Sequence, residues 1–178
     1  MRKILGIVFV LTLVGCTDSG LIKSSQTAVA AKDIPKMFDL SLRNWTKLKR
    51  KYGTNYSYQR STKTASGQHS NTKILVLDNR VEYRDFFEWQ EGNTPSLTWS
   101  ENFADLNQHN QGTPAKTLDQ LYAQCQQEIL SKSTTEYSIR FSLDQYQILK
   151  QCSYTKLSCS NTCSTQGIRI NGLTIPAQ

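Results

Sequence analysis

Residues 72–89, "TKILVLDNRVEYRDFFEW", have the pattern of an antiparallel β-hairpin. Ile74 and Val76 alternate with other residues, so we expect both side chains on one face of the first strand. Asp78 and Asn79 tolerate positive φ and suit the tight turn between the two strands. The return strand is expected to alternate in the same way, with one face formed by Val81, Tyr83 and Asp85.

A further strand and an amphipathic helix precede the hairpin. Residues 55–63, "NYSYQRSTK", alternate as a strand does. Asp33 is a candidate helix N-cap, Pro35 is tolerated in the first helical turn, and Gly53 is expected to end the helix. The apolar stripe of this helix recurs at steps of three and four residues and consists of Phe38, Leu42, Trp45, Leu48 and Tyr52.

The opposite face and the last turn of this helix are basic. Their cations are Lys36, Arg43, Lys47, Lys49, Arg50 and Lys51. Cations near a helix C-terminus gain about 0.3–1 kcal/mol from the helix dipole, which explains much of the cluster. The alternative is a docking face for anions.

The second half of the chain begins with an irregular stretch and a second helix. Residues 90–112 are polar with isolated aromatics, and a connection this long predicts either a functional loop or a flap. Thr117 and Gln120 match a capping box, which predicts a helix start. The inward face of that helix consists of Leu118, Leu121, Tyr122, Cys125 and Ile129. Strands are predicted at 136–143, 147–155 and 167–175.

This order of elements predicts an α+β fold. We expect an antiparallel sheet of about five or six strands with two main helices packed on one face. The segments "TNYSY" at 54–58 and "TEYSI" at 135–139 each follow a helix, which suggests a duplicated helix-plus-hairpin unit. Residues 32–178 are expected to form a single globular domain.

The N-terminus has the pattern of a targeting signal. Arg2 and Lys3 precede an apolar run at 4–14, which is shorter than the roughly 20 residues of a membrane-spanning helix. The end of this run, "LVGC" at 13–16, resembles the bacterial lipobox. The resemblance implies that Cys16 receives a diacylglycerol and that cleavage follows Gly15. Residues 1–15 are then the signal peptide and 16–31 a lipidated tether, and the alternative is an ordinary secretory signal with a chance cysteine.

The residues after the lipobox bear on location. In a pattern that resembles Gram-negative lipoprotein sorting, Asp at the second mature position retains the protein in the inner membrane. Here Thr17 occupies that position, and Asp18 follows it. We therefore expect a lipid anchor in the outer membrane, with the domain facing the periplasm. The chain carries a formal charge of +7. A basic surface of this kind favours anionic lipid headgroups, lipopolysaccharide or an acidic protein, although solubility alone also explains it.

The cysteine count fits an oxidising compartment. With Cys16 acylated, four of the five cysteines remain, and two disulfides are expected among Cys125, Cys152, Cys159 and Cys163. Three pairings are possible, and the sequence does not choose among them. A zinc site is the weaker alternative, because the last two cysteines lack the usual spacing and no histidine lies near them.

Several motifs together resemble an uncharacterised family of secreted bacterial lipoproteins. The quoted segments are "NYSY", "ILVLDNRVEYR" and "TLDQLY", and the matching positions are Trp45, Tyr56, Tyr58, Val81, Thr117, Asp119, Leu121 and Tyr122. The chain departs from the pattern at Arg80, where the family tends to have Gly, and at 145–148, where a Gly-Tyr-Pro element is missing. The resemblance implies a fold and an address but no reaction.

No combination of residues in the sequence predicts catalysis. His69 and His109 lie in polar segments and are expected to be exposed loop residues. Ser70 and Lys73 match a Ser-x-x-Lys nucleophile pattern, but the motifs that accompany it are absent. We therefore expect no enzymatic activity, no catalytic residue, no cofactor and no metal. Nucleic acid is not an expected partner, because the predicted address is the cell envelope.

Aromatic residues are concentrated between residues 86 and 103. If these side chains are exposed, they form an interaction patch. If they are buried, they belong to the core beneath a long loop. Trp89, Trp99 and Phe103 are the candidate partner-binding residues. The leading hypothesis is a non-enzymatic binding or adaptor module with a protein, cell-wall or lipid partner. The alternative is an inhibitor or immunity lipoprotein that blocks a hydrolase with residues 90–112, and a hydrolase with dispersed residues ranks third.

Overall fold

The computed structural model describes residues 31–64, 66–159 and 164–176. A 3-10 turn at Ala31–Asp33 leads into helix α1 (Ile34–Tyr52). Helix α2 (Leu118–Gln124) continues into a π-helical turn at Cys125–Ile129. The strands are β1 (Tyr56–Lys63), β2 (Gln68–Leu77), β3 (Arg80–Gln90), β4 (Ser96–Asn102), β5 (Tyr137–Leu143), β6 (Leu149–Lys156), β7 (Gln166–Arg169) and β8 (Gly172–Thr174).

The strands form two antiparallel sheets, which confirms the α+β prediction with a main antiparallel sheet. The main sheet has the order β4-β3-β2-β1-β8, and the small sheet has the order β5-β6-β7. The five strands of the main sheet agree with the expected five or six, and the small three-stranded sheet is additional. The division between the two sheets arises near the C-terminus, where the Ile170 N–H donates to Lys150 of the small sheet and the Asn171 N–H donates to Gln59 of the main sheet. The order of a helix followed by an antiparallel meander occurs twice.

The hairpin predicted from residues 72–89 is present as β2 and β3. Asp78 and Asn79 form its turn with φ values of 48° and 60°, as their tolerance of positive φ predicts. Ile74 and Val76 are completely buried. These residues therefore place the inner face of the main sheet where the sequence predicts it.

A bulge in β3, which the sequence does not reveal, changes which of its side chains point to the inner face of the main sheet. Val76 pairs with Val81 and Leu75 pairs with Tyr83, so one extra residue lies on β3. The extra residue reverses the alternation. Val81 and Arg84 consequently both point inward, whereas Tyr83 is 47% exposed. The prediction that Val81, Tyr83 and Asp85 share one face is wrong for this reason.

Helix α1 bridges the two sheets. Trp45 packs edge-on against Tyr56 of the main sheet, and Phe38 packs against Phe141 of the small sheet. The predicted stripe is confirmed at Phe38 and Trp45, but the buried line passes through Ser41, so Leu42, Leu48 and Tyr52 are only partly buried. Asp33 occupies the N-cap position without a side-chain cap bond, and Gly53 ends the helix at φ 81°.

Helix α2 begins with the predicted capping box. The Thr117 hydroxyl accepts from the Gln120 N–H, and the Gln120 side chain accepts from the Thr117 N–H at 2.7 Å. The strand tyrosines fix this end of the helix, because the Tyr56 hydroxyl accepts from Leu118 N–H at 2.7 Å. The Tyr58 hydroxyl donates to the Lys116 carbonyl at 2.6 Å.

A disulfide joins α2 to the small sheet. Cys125, in the π-helical turn, bonds to Cys152 on β6, and the Cα atoms are 5.8 Å apart. Cys159 is also disulfide-bonded, and Cys163 lies outside the described residues. The predicted cross-link between Cys125 and the C-terminal cysteines is therefore confirmed at this pair.

The predicted signal peptide, the acylated Cys16 and nearly all of the tether lie outside the described residues. In the part of the chain that the structure describes, no helix combines the length and the apolar character needed to cross a membrane. Within the stretch 90–112, which was predicted to be irregular, β4 forms a regular edge strand.

Candidate functional site

The three aromatic residues proposed for partner binding lie in different places. Trp89 lies on the outer face of the main sheet and stacks on His69, with ring centroids 5.2 Å apart. Phe103 follows β4, is 51% exposed and lies beneath the Arg80 guanidinium. Trp99 is paired with Phe86 on the inner face. The structure therefore does not bring Trp89, Trp99 and Phe103 together into one patch.

Trp99 forms part of a stack that covers the inner face of β3 and β4. Its ring lies between Phe86, at 5.1 Å, and His109, at 4.4 Å, and both contacts are nearly parallel. The Arg84 guanidinium carbon lies 4.5 Å from its centroid. The buried indole N–H of Trp99 has no hydrogen-bond partner. His109 is thus a packing residue as well as a loop residue.

A buried ion pair lies beside this stack. Arg84 and Glu101 are 2% and 1% exposed, and Arg84 Nη1 donates to Glu101 Oε2 at 2.7 Å. Arg84 also donates from Nε to the Thr113 carbonyl at 2.8 Å, and from its two Nη atoms to the carbonyls of His109 and Gln111. One guanidinium therefore fixes several points of the loop formed by residues 103–117.

The Glu101 carboxylate also fixes the 103–117 loop. It accepts hydrogen bonds from the backbone N–H of Asn107 and His109, each at 2.7 Å, and from the His109 ring at 2.9 Å. Burial raises the pKa of Glu101, but the hydrogen bonds from His109, Asn107 and Arg84 outweigh it and lower the pKa to about 2. Glu101 is consequently a fixed anion rather than a general base.

Sequence reasoning missed both members of this pair. Simple alternation from Val81 places Arg84 outward, and only the bulge in β3 turns it inward. Glu101 lies in a stretch that was predicted to lack regular structure. Neither residue stands in a recognisable motif, so the sequence contains no signal for the pair.

The structure separates the residues that resembled catalytic patterns. Ser70 and Lys73 are three positions apart on β2, so their side chains point to opposite faces. The Ser70 hydroxyl is paired with Thr62 at 2.7 Å. Among the described residues, no group of three or more His, Cys, Asp or Glu side chains could hold a metal ion.

A polar groove lies where β1 of the main sheet faces β6 and β7 of the small sheet. This inter-sheet groove has a volume of about 470 Å³ and is lined by residues 60–63, 151, 153 and 165–169. That volume falls within the range of roughly 300–1,000 Å³ typical of small-ligand sites. Its described lining contains three cations, Arg60, Lys63 and Arg169, and no carboxylate.

The charges in the inter-sheet groove are only partly compensated. Lys63 donates to Glu91 at 2.6 Å, and this pair is exposed. Arg60 donates from Nη2 to the Gly167 carbonyl at 2.9 Å, and neither Arg60 nor Arg169 forms an ion pair within the described part of the chain. Burial lowers the pKa of Arg60, and the positive charge of Arg169 lowers it further.

The groove was not predicted from the sequence. Arg60 and Arg169 are far apart in the chain and lie in segments with the ordinary alternation of strands. Only the small sheet, which was not expected, places β7 beside β1. Searches of protein-family models, curated proteins and solved structures found no match to this chain.

Proposed function

We propose that this protein is a lipid-anchored binding module of the bacterial cell envelope, which holds an anionic ligand in the inter-sheet groove. The observation that carries the proposal is the pair Arg60 and Arg169, two cations that line a groove of ligand size and have no acidic partner among the described residues. A cation that is partly removed from water without a counter-ion is costly. A bound anion would lower that cost.

The chemical groups and the fixed walls of the groove support ligand binding rather than catalysis. The groove is lined mainly by hydroxyl, amide and guanidinium groups, and its described lining offers no carboxylate, histidine or thiol to act as a base or nucleophile. The Cys125–Cys152 disulfide holds β6, one wall of the groove, against α2. A preorganised site of this kind favours affinity because little order has to be gained on binding.

The anchor is the part of the proposal that depends on the N-terminal motif. Cys16 would carry the lipid, and the outer membrane is the proposed location, with the domain facing the periplasm. Replacing Cys16 with Ala is expected to abolish incorporation of labelled palmitate and to release the chain from the membrane fraction. Continued labelling of the variant would contradict lipidation at Cys16.

The binding function is tested by charge-matched double variants of the full chain in detergent micelles. Arg60→Gln with Arg169→Gln is compared with Arg43→Gln with Arg50→Gln, two exposed positions on α1 outside the groove. Both variants lose two positive charges. We expect the first to elute from immobilised polyanion at lower salt than the second, and equal elution would contradict a site in the groove.

A second candidate function is an inhibitor lipoprotein that blocks a hydrolase. It is favoured by the rigidity of the 103–117 loop, which Arg84 and Glu101 fix, and by the exposed β3–β4 turn at residues 91–95. Inhibitory loops gain affinity from such preorganisation. Substitution of Leu97, which is 54% exposed beside that turn, would then weaken inhibition without changing the melting temperature.

A further inference from the structure

We infer that the anionic group held in the inter-sheet groove is a phosphate monoester. This inference rests on the proposed function and names its ligand class. A phosphate monoester carries close to two negative charges at neutral pH, because its second pKa is about 6. The source can be a soluble phosphate ester or a lipid headgroup, since both present the same chemistry to the groove.

The charge of the groove favours a dianion over a monoanion. Arg60 and Arg169 line the same groove, and neither has an acidic partner among the described residues. A single carboxylate or a phosphodiester would neutralise only one of the two. A doubly charged group between them would neutralise both and remove their repulsion.

The donors in the groove favour tetrahedral oxygens. Guanidinium groups present several N–H donors in a fixed fork that matches phosphate oxygens. Among the described residues, Arg60 donates only from Nη2, to the Gly167 carbonyl, so its other donors are available to a ligand. The Ser153 hydroxyl, which accepts from Gln151 at 2.8 Å, can still donate its own proton.

Gly167 is the positioning residue for Arg60. It adopts φ 126°, and a Cβ at this position would lie 2.5 Å from the Cys152 carbonyl oxygen. Only glycine therefore allows β7 to approach β6 this closely. The Gly167 carbonyl, positioned by this close approach, accepts from Arg60 Nη2 and fixes the guanidinium in the groove.

The test is isothermal titration calorimetry of the full chain in neutral detergent micelles with three probes. Glycerol 3-phosphate is the monoester, dimethyl phosphate is the singly charged diester, and succinate is a dianion without phosphorus. We expect the monoester to bind at least about tenfold more tightly than the diester, the ratio that one additional charged hydrogen bond supports. Its affinity should fall between pH 7 and pH 5 as the ester becomes singly charged.

Variants connect this binding to the groove. Arg169→Gln, at an exposed position, is expected to weaken glycerol 3-phosphate binding about tenfold, whereas Arg43→Gln on α1 should leave it unchanged. Arg60→Lys keeps the charge but loses the fork, and should also weaken binding. Melting temperatures of all variants verify that they fold. Equal affinity of Arg169→Gln and the original chain would overturn the inference.

Further measurements distinguish a lipid headgroup from a soluble ester, and failure of this inference from failure of the proposed function. Micelles doped with phosphatidic acid, a monoester, should compete with glycerol 3-phosphate if the ligand is a headgroup, whereas those doped with phosphatidylglycerol, a diester, should not. No competition by either assigns the groove to soluble esters. Succinate binding as tight as monoester binding, and dependent on Arg169, would refute phosphate selectivity but keep the proposed function. Binding of none of the three probes would refute both.

Discussion

At the scale of single residues, Arg84 and Glu101 are the most constrained charges in the described structure. Both are almost completely buried, and together they satisfy backbone groups from residue 107 to residue 113. Removing one partner of a buried pair leaves the other charge without compensation in a poorly solvated place. The pair therefore holds the 103–117 loop in its conformation.

Glu101→Gln is expected to lower the free energy of unfolding by about 3–5 kcal/mol, because it leaves the Arg84 charge buried and unpaired. Urea denaturation of the variant measures this loss. The control is Glu82→Gln, which breaks the exposed pair with Arg80 and should cost at most about 1 kcal/mol. Equal losses in the two variants would contradict a structural role for the buried pair.

The pKa of Glu101 also predicts a pH dependence. The folded pKa, about 2, lies below the ordinary value of 4.5. The contribution of Glu101 to stability is therefore complete above the unfolded pKa and is lost as the pH falls from about 4.5 towards 2. Urea denaturation at pH 6 and pH 3 should show the stability gap between the original chain and Glu101→Gln narrowing at the lower pH. A gap independent of pH would contradict it.

At the scale of elements, helix α2 depends on a capping box. Thr117→Ala removes the hydroxyl that accepts from Gln120 and is expected to cost about 1 kcal/mol. Thermal denaturation measures the loss. The matched control is Thr94→Ala, in the exposed β3–β4 turn, and its melting temperature should not change. An unchanged melting temperature in Thr117→Ala would mean that the tyrosine contacts suffice to hold this end of α2.

Elements with local signals were predictable from the sequence. The turn at Asp78 and Asn79, the capping box at Thr117 and the glycine end of α1 at Gly53 each depend on residues adjacent in the chain. The bulge in β3 and the division of the last strand between two sheets depend on contacts distant in sequence. The candidate site combines such contacts, which explains why Arg60 and Arg169 were not identified.

At the scale of the whole molecule, one hydrophobic core extends between the two sheets and contains a disulfide. Cys125 and Cys152 belong to this core, and their bond joins the helical layer to β6. The sequence predicted two disulfides from the proposed compartment, and the described residues show the one between Cys125 and Cys152. It did not predict the pairing, because four cysteines allow three arrangements.

Replacing both Cys125 and Cys152 with Ala is expected to lower the free energy of unfolding by about 2–4 kcal/mol, since the bond restricts the unfolded chain. Equilibrium urea denaturation without reductant measures this and leaves the Cys159 bond in place. The same variant should also weaken anion binding, because β6 forms a wall of the inter-sheet groove. A loss below about 1 kcal/mol would show that packing alone holds the small sheet.

The edge position of β8 also bears on how the protein is made. β1 gains its second neighbour only from residues near the C-terminus, with Ser57 opposite Thr174, and pairings so distant along the chain form slowly. The main sheet therefore stays incomplete until residues 172–174 have been synthesised. The export proposed from the N-terminal motif would benefit from this late pairing, because a sheet that closed earlier would block passage of the chain through a secretion channel.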